Sequence, residues 1–372
     1  MQTDYTEDQN RFREIVSRFL NVKSTPADVR RLMSSREGFD PLVWQQLCEE
    51  VGLAGTHIPT EYGGFGFGDV ELGIICEEMG RYLYCGPFFA SSVMAGYAVM
   101  SGATNANKSK ILPDIASGRR IATLVLDNVN NPSDVGLLLT STDANIISGV
   151  APIVVDGHVA DFLIVVASAP DGFGLYLVDT EAQGLTITLQ ESLDPTRKIS
   201  KVSFSKVRAM RIGGLTETQL SHVWDKISSA LSHEMIGGAQ HLFESTVEYT
   251  KVRVQFGRQI GSFQALKHRC ADLLMELEFA KAVTHHASFC LAADDGERYA
   301  PSMAKAMASD TYMEAARAGV QLRGGIGFTW EDDTHLWYKR AKSSEVFMGS
   351  PHMHRERMMV ELEKEREGNL GV

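Results

Sequence analysis

The chain of 372 residues is acidic, with 36 Lys and Arg against 47 Asp and Glu and a formal net charge of −11. This charge disfavours nucleic-acid binding, which requires an excess of cations facing phosphates. The length and a hydrophobic content of 44% suffice for a sizeable core in two or three regions. The most apolar stretch, 82–100, is interrupted by Pro, Gly and Ser, so we expect a core helix and no membrane span.

The cysteines are odd in number and irregularly spaced, with no C-x-x-C pair and no Cys/His ligand cluster along the chain. We therefore expect free thiols in a reducing compartment, a cytoplasmic location and no metal site. The polar, acidic N-terminus is not typical of a secretory signal. The cysteines are Cys48, Cys76, Cys85, Cys270 and Cys290.

Three regions follow one another along the chain. Helical spacing of apolar residues over 1–118 predicts an N-terminal helical domain. Short β-branched runs such as "DFLIVVAS", separated by Asn, Asp, Gly and Pro, predict a middle antiparallel β domain over 119–215, as a barrel or a sandwich. Long helical patterns over 216–372 predict a C-terminal four-helix bundle. The predicted fold class is therefore α+β, in the order helices, strands, helices.

A glycine-punctuated hinge, "VRVQFGRQIGSFQALKHR" at Val252–Arg269, separates two predicted helices. Arg253 closes the first helix, and Gly257 and Gly261 permit a turn. A cation beside the N-terminal amides of the next helix forms an anion site. A capped loop with a solvated Arg is an equally good explanation of this stretch alone.

A second glycine-rich stretch, "QLRGGIGFTWEDD", runs from Gln321 to Asp333. Paired glycines at Gly324 and Gly325 let a backbone approach a ligand closely, and Gln321 can hydrogen-bond a base or a phosphate. A helix C-cap explains an isolated G-G-x-G more simply.

The last helix follows a Gly349-Ser350 turn and begins with His352 and His354. A metal site would need further ligands, and none is near in sequence. The pattern favours a solvated helix face.

The order of these stretches resembles the acyl-CoA dehydrogenase family: R-x-x-F-G and F-Q, then Q-x-x-G-G-x-G-F, then a G-S turn before a final helix. "GLAGTHIPTEYGGFGFGDVELGIICEEMGR" is similar to that family's N-terminal signature. The resemblance covers nearly the whole chain, and the family has the same order of helices, strands and helices.

The resemblance implies an FAD enzyme that oxidises acyl-CoA thioesters between Cα and Cβ. A glutamate removes the α-proton, a hydride leaves Cβ for the flavin, and electrons pass to an electron-transfer flavoprotein or to oxygen. The resemblance also implies a set of residues that hold the adenine and pyrophosphate half of FAD across a subunit interface. Carried over to this chain, they are Arg253, Phe256, Gln264, Gln321, Gly324 and Gly325.

Other positions depart from the family. The turn that most often carries the base has Met348 where the glutamate would stand, and the alternative position, on the first bundle helix, falls at Ile227 and Ser228. No catalytic residue is therefore assigned. The segments that would face the flavin ring, within 126–136 and 151–167, lack the family's T-E-P…G-S-D and W-I-T motifs.

The chain retains the family's residues that hold the phosphate end of FAD but lacks those that face the flavin ring. In this it resembles the non-catalytic subunit of heterotetrameric (α2β2) members of the family. As a class, these often act on steroid or bile-acid side-chain thioesters. A second dehydrogenase-like subunit, an acyl-CoA substrate and an electron-transfer flavoprotein are the implied partners. Two alternatives stay open: a self-sufficient homo-oligomer whose base has moved to Glu345 or Glu234, and a flavin-free acyl-CoA-binding scaffold.

Overall fold

The computed structural model describes residues 5–142, 144–293 and 297–370, with backbone alone for 367–370. Helices precede the sheet, as predicted. They are α1 (Glu7–Lys23), α2 (Pro26–Ser34), α3 (Pro41–Glu49), α4 (Asp69–Arg81), a π-helix (Phe89–Ala95), α5 (Gly96–Gly102) and α6 (Asn105–Ala116).

Local sequence accounts for the first helix. Thr6 and Gln9 form a reciprocal capping box that satisfies two backbone N–H groups at the start of α1. Val16 and Leu20, four residues apart and therefore on one helix face, are fully buried.

One eight-stranded sheet follows, in the order β6-β7-β3-β2-β4-β5-β8, with β1 beside β4. Its strands are β1 (Ala122–Val125), β2 (Leu139–Ser141), β3 (Ile146–Val155), β4 (Phe162–Ala169), β5 (Gly172–Asp179), β6 (Leu185–Gln190), β7 (Ile199–Arg208) and β8 (Met210–Leu215).

The predicted β domain is confirmed and most of its neighbouring strands pair antiparallel, but the sheet is mixed, so the expectation of a purely antiparallel arrangement was wrong at two pairs. Strand β4 pairs in parallel with β1 and β2, whereas the other neighbours are antiparallel. Strand β4 is almost entirely buried, as is typical of a strand with parallel neighbours. Such an uninterrupted apolar run predicts burial but does not specify the direction of its partners.

The described part of the chain after the sheet is mainly helical and includes one small hairpin. Its elements are α7 (Glu217–Val252), β9 (Val254–Gln255), β10 (Arg258–Gln259), α8 (Gln264–Ala292), α9 (Ala300–Arg323), α10 (Thr334–Val346) and α11 (Pro351–Leu370). Helices α8, α10 and α11 all pack against α9. Fully buried alanines on α9, Ala304, Ala308 and Ala316, allow these close approaches.

Backbone contacts divide the chain into two compact units, each built from separate segments. We call them the helical unit (residues up to Val29, Gly73–Tyr84 and from Ser228 onward) and the sheet unit (Arg30–Leu72 and Cys85–Ile227). The sequence boundaries near 118 and 215 stay a prediction of domain organisation. Among the described helices, none has the length and apolar character required to cross a membrane.

Candidate functional site

The predicted hinge in the helical unit is a two-residue β-hairpin. Strands β9 and β10 pair antiparallel, and the tip residues Phe256 and Gly257 have φ of 54° and 77°. Positive φ at both positions is the backbone of a type I′ turn. Gly257 adopts it freely, whereas a left-handed conformation at Phe256 costs about 1–2 kcal/mol.

The hairpin is stiffened by aromatic contacts but leaves its tip uncovered. The Arg258 guanidinium lies 3.9 Å from the Phe263 ring centroid, and the Phe256 and Phe263 rings meet edge-on at 6.1 Å. Phe256 is nevertheless 90% exposed. Arg253 is exposed, and within the described part of the chain its guanidinium has no ion pair. A strained, exposed Phe beside an exposed cation is typical of a surface that is covered in an assembly.

The glycine turn after α9 combines two different kinds of glycine. Gly324 has φ of 67° and caps α9, so the C-cap explanation accounts for it. Gly325 is exposed, is absent from the positive-φ positions, and a Cβ built on it would meet nothing within 4 Å. Neither the backbone nor the packing of this chain therefore requires glycine at Gly325.

Both turns emerge at the same end of the helical unit. Arg323, at the end of α9, donates from Nη1 to Thr246 Oγ1 at 2.8 Å and from Nη2 to Ser245 Oγ at 3.1 Å. Thr246 lies six residues before the end of α7, or about 9 Å along the helix. The structure thus brings the hairpin after α7 and the glycine turn after α9 to one end of the unit. Gln264 and Gln321, both exposed, lie at the start of α8 and in the last turn of α9.

The turn at the position of the family's base is rigid and apolar. Met348 is fully buried with φ of 59°. The buried Lys305 Nζ donates to the carbonyl oxygens of Ser344 at 3.0 Å and Gly349 at 3.2 Å. His354 Nε2 donates to the Met348 carbonyl oxygen at 2.8 Å. The backbone of the turn is held firmly, and its central side chain cannot accept a proton.

His354 also corrects the expectation of a solvated face on the last helix. The ring is fully buried, and burial together with the nearby Lys305 charge lowers its pKa to about 3. His352, two residues earlier, is exposed as expected.

The carboxylates considered as relocated bases are engaged in ion pairs. Glu234 Oε1 accepts from Arg340 Nη1 at 2.9 Å, and both side chains are buried. Glu345 pairs with Lys342 one helical turn away. Ile227, at the other position of the family's base, is fully buried. These contacts favour structural roles for both glutamates.

The loop at 127–139, in the sheet unit, is held by its own polar groups. The buried Asp127 carboxylate accepts backbone N–H groups from Gly136 at 2.8 Å and Leu139 at 2.9 Å. Asn131 Nδ2 donates to Asp134 Oδ2 at 2.8 Å. The side chains at the position of T-E-P…G-S-D therefore stabilise the loop itself.

The helical unit also contains a buried polar network that the sequence did not predict. Glu77 Oε2 accepts from Arg13 Nη2 at 3.0 Å and from His285 Nε2 at 3.2 Å, and His233 Nδ1 lies 3.9 Å away. Burial alone raises the pKa of Glu77, but the two histidines and the Arg13 charge hold it well below its ordinary value. Burial lowers the pKa of His233 to about 4. The sequence signal was only the E-E pair in "CEEMGR".

Comparisons with known proteins agree with these observations. Residues 6–119 match the family described as acyl-CoA dehydrogenase, N-terminal domain, and residues 229–362 match its C-terminal domain. Acyl-CoA dehydrogenase IpdE2 of Mycolicibacterium smegmatis is 32% identical over 359 residues, covering 96% of this chain and 99% of that protein. The Mycobacterium tuberculosis protein of the same name is 33% identical over 345 residues, covering 93% and 94%.

A solved structure, the steroid acyl-CoA dehydrogenase Tcur3481-Tcur3483, superposes with a TM-score of 0.87 at 25% identity, covering 97% of this chain and 99% of that one. The helix–sheet–helix order, the position of the glycine turns and the matches over both terminal regions lead to one assignment. The chain belongs to the acyl-CoA dehydrogenase family of FAD-binding oxidoreductases.

Proposed function

We propose that this chain is the non-catalytic subunit of a heteromeric FAD-dependent acyl-CoA dehydrogenase. In the proposal it lends the adenine and pyrophosphate half of the flavin site to a partner chain, and the partner supplies the base. The observation that carries the proposal is an asymmetry: the phosphate-end groups are exposed and intact, whereas the position of the base is a buried Met348.

The phosphate end fits the group that it would hold. Arg253 offers an exposed cation, and Gly325 leaves open space where a Cβ would otherwise project. An exposed cation beside a helix N-terminus favours a pyrophosphate. When bound, FAD supplies the hydride acceptor for Cα–Cβ oxidation. This chain's residues would orient its charged end and exclude water from it.

The residues at the position of the flavin ring fit that group less well. The carboxylate of Asp127 already accepts hydrogen bonds from backbone N–H groups of its own loop, and the stretch 121–214 contains no Trp that could cover the ring. In the proposal, the proton acceptor for the substrate's α-carbon comes from the partner chain, because Met348 and Ile227 of this chain cannot accept a proton.

The similarity to a steroid acyl-CoA dehydrogenase that has two named components supports a heteromeric assembly, and we propose that it contains two copies of each chain (α2β2). It also favours a bulky steroid side-chain thioester as the substrate. We place the assembly in the cytoplasm, in keeping with cysteines that form no disulfide in the described part of the chain, and propose an electron-transfer flavoprotein as acceptor.

The test is to isolate the native assembly and to count its chains and flavins. We expect a second dehydrogenase-like chain in equal amount, with a glutamate in the turn that here holds Met348. Arg253→Gln in this chain should remove flavin from that assembly, whereas Lys251→Gln should not, because Lys251 is an exposed cation already paired with Glu248. An assembly of this chain alone that carries flavin and turns over acyl-CoA would overturn the proposal.

A further inference from the structure

Three chemically different side chains converge at the C-terminal end of α8. His286 Nε2 lies 2.8 Å from Glu297 Oε2 and 3.4 Å from Cys290 Sγ. One ligand atom from each of the three residues lies within 4.8 Å of the others. His286 and Cys290 are four residues apart on α8 and therefore share a face, contrary to the expectation that the chain has no Cys/His ligand cluster.

The three donors are the ligand types that Zn²⁺ prefers: imidazole, thiolate and carboxylate. Tetrahedral zinc with bonds of about 2.0–2.3 Å separates its donor atoms by about 3.3–3.8 Å. The observed 3.4 Å between sulfur and nitrogen falls within that spacing, whereas the 2.8 Å between nitrogen and oxygen is that of a direct hydrogen bond and must widen by about 0.5 Å to admit the ion. All three side chains are half-buried, so an ion and a fourth, water ligand have access from solvent.

The surroundings favour a cation. The Tyr299 hydroxyl is a neighbour of the Glu297 carboxylate. Glu365 on α11 accepts from the Arg298 backbone N–H at 3.3 Å and adds a second negative charge near Cys290. Hydrogen bonds to the outer side of a ligand carboxylate are usual at metal centres.

A second cluster, Glu77 with His233 and His285, has similar spacing but a different charge balance. There Arg13 already supplies a cation to the carboxylate. Within the part of the chain that the structure describes, no Lys or Arg pairs with Glu297, whose ion pair is with His286. The cluster at the end of α8 is therefore the better candidate.

We propose that His286, Cys290 and Glu297 bind a divalent transition-metal ion of the zinc class. The ion replaces the direct contact between His286 and Glu297 and ties the end of α8 to the segment that leads into α9. Binding displaces the thiol proton of Cys290 to solvent, because the thiolate is the ligand. This property is separate from the flavin chemistry and does not depend on the proposed function.

The test uses the full chain, free of any affinity tag and of chelators, with Co²⁺ as the probe and Zn²⁺ as competitor. We expect one ion per chain, a thiolate-to-cobalt charge-transfer absorption, and loss of that absorption when Zn²⁺ is added. Cys290→Ser should abolish the absorption, and Glu297→Gln should weaken binding at least ~10-fold, as losses around metal sites do.

Cys270→Ser is the matched control, because Cys270 is also half-buried on α8 but lies outside the ligand groups found among the described residues. It should retain both the absorption and the affinity. A second readout is thermal unfolding: Zn²⁺ should raise Tm in wild type and in Cys270→Ser, but not in Cys290→Ser. Absence of the charge-transfer absorption in wild type, or equal effects of the two cysteine substitutions, would overturn the proposal.

Discussion

At Gly325 a glycine stands where neither the backbone angle nor the packing of this chain requires one. If a dinucleotide approaches this backbone in the assembly, a methyl group added by substituting Gly325 with Ala will obstruct it. Gly325→Ala should therefore leave the chain's Tm unchanged and lower the FAD affinity of the assembled enzyme by ~10-fold or more, in line with about 1.4 kcal/mol for each factor of ten. Differential scanning fluorimetry and flavin titration would measure the two effects.

Gly327 provides the contrasting control two residues later. It is buried, and a Cβ there would lie 3.0 Å from Arg323 Cβ and 3.1 Å from the Val320 carbonyl oxygen. Gly327→Ala should lower the free energy of unfolding by about 1–3 kcal/mol, as overpacking does. Equal flavin affinity in wild type and Gly325→Ala would show that nothing approaches the turn.

Arg253 differs from Lys251, two residues earlier, because it is exposed and lacks an ion pair in the part of the chain described, whereas Lys251 pairs with Glu248. Arg253→Gln should reduce flavin retention in the assembly by at least ~10-fold with little effect on folding, since exposed substitutions rarely change stability by more than about 0.5 kcal/mol. Equilibrium dialysis against FAD at two ionic strengths would check it. A salt-independent loss, or none, would argue against a phosphate contact.

At the scale of elements, the buried pair of Glu234 on α7 and Arg340 on α10 joins two helices of the helical unit. Arg340→Met removes the cation that contacts a buried carboxylate and should cost about 3–5 kcal/mol of unfolding free energy. Urea denaturation would measure this loss.

Adding Glu234→Gln to Arg340→Met should recover part of the loss, because the buried charge is then removed as well. The double variant should retain the turnover of the assembled enzyme once folded. Loss of turnover at normal stability would restore Glu234 as a candidate base.

Helices and strands were predictable where apolar residues recur with one regular spacing over a long stretch of sequence. The order of helices, strands and helices followed from periodicity, since each element buries one face. The hairpin at 254–259 was not predicted, because four strand residues carry no period and a Phe in the first left-handed position is unfavourable by local rules. That departure falls where we place the partner's flavin, as expected for a functional site.

Contacts between side chains from distant segments of the chain could not be predicted from the sequence. His354 lies on a polar helix, yet its ring is buried because the turn before α11 brings Lys305 and Met348 together around it. The network around Glu77 joins three other chain segments, and no local spacing indicates this. The apolar Met348, at the position where a resemblance to the family leads one to expect a glutamate, could by contrast be read directly from the sequence.

For the whole molecule, the buried histidines predict acid sensitivity. Their folded pKa values lie below the ordinary value near 6.5, so the unfolded chain binds more protons, and stability falls as pH decreases from about 6.5 toward 4. The lowered carboxyl pKa of Glu77 adds a further loss only below about 4.5. The histidines are the buried His57 and His233 and the half-buried His241, each with its pKa lowered to about 4, and the buried His354, with its pKa lowered to about 3.

Urea denaturation at pH 7.5, 6 and 5 should therefore give decreasing free energies of unfolding. His354→Gln should flatten the dependence, whereas His352→Gln, on the exposed face of the same helix, should not. A stability that is constant over this range would contradict the burial of these rings.

The most direct measurement of the central claim is the flavin content and turnover of this chain purified by itself. Our account predicts substoichiometric FAD and no reduction of an electron-accepting dye by acyl-CoA, because the chain keeps the phosphate end of the site and lacks a base. Stoichiometric FAD together with acyl-CoA-dependent dye reduction in the isolated chain would contradict it.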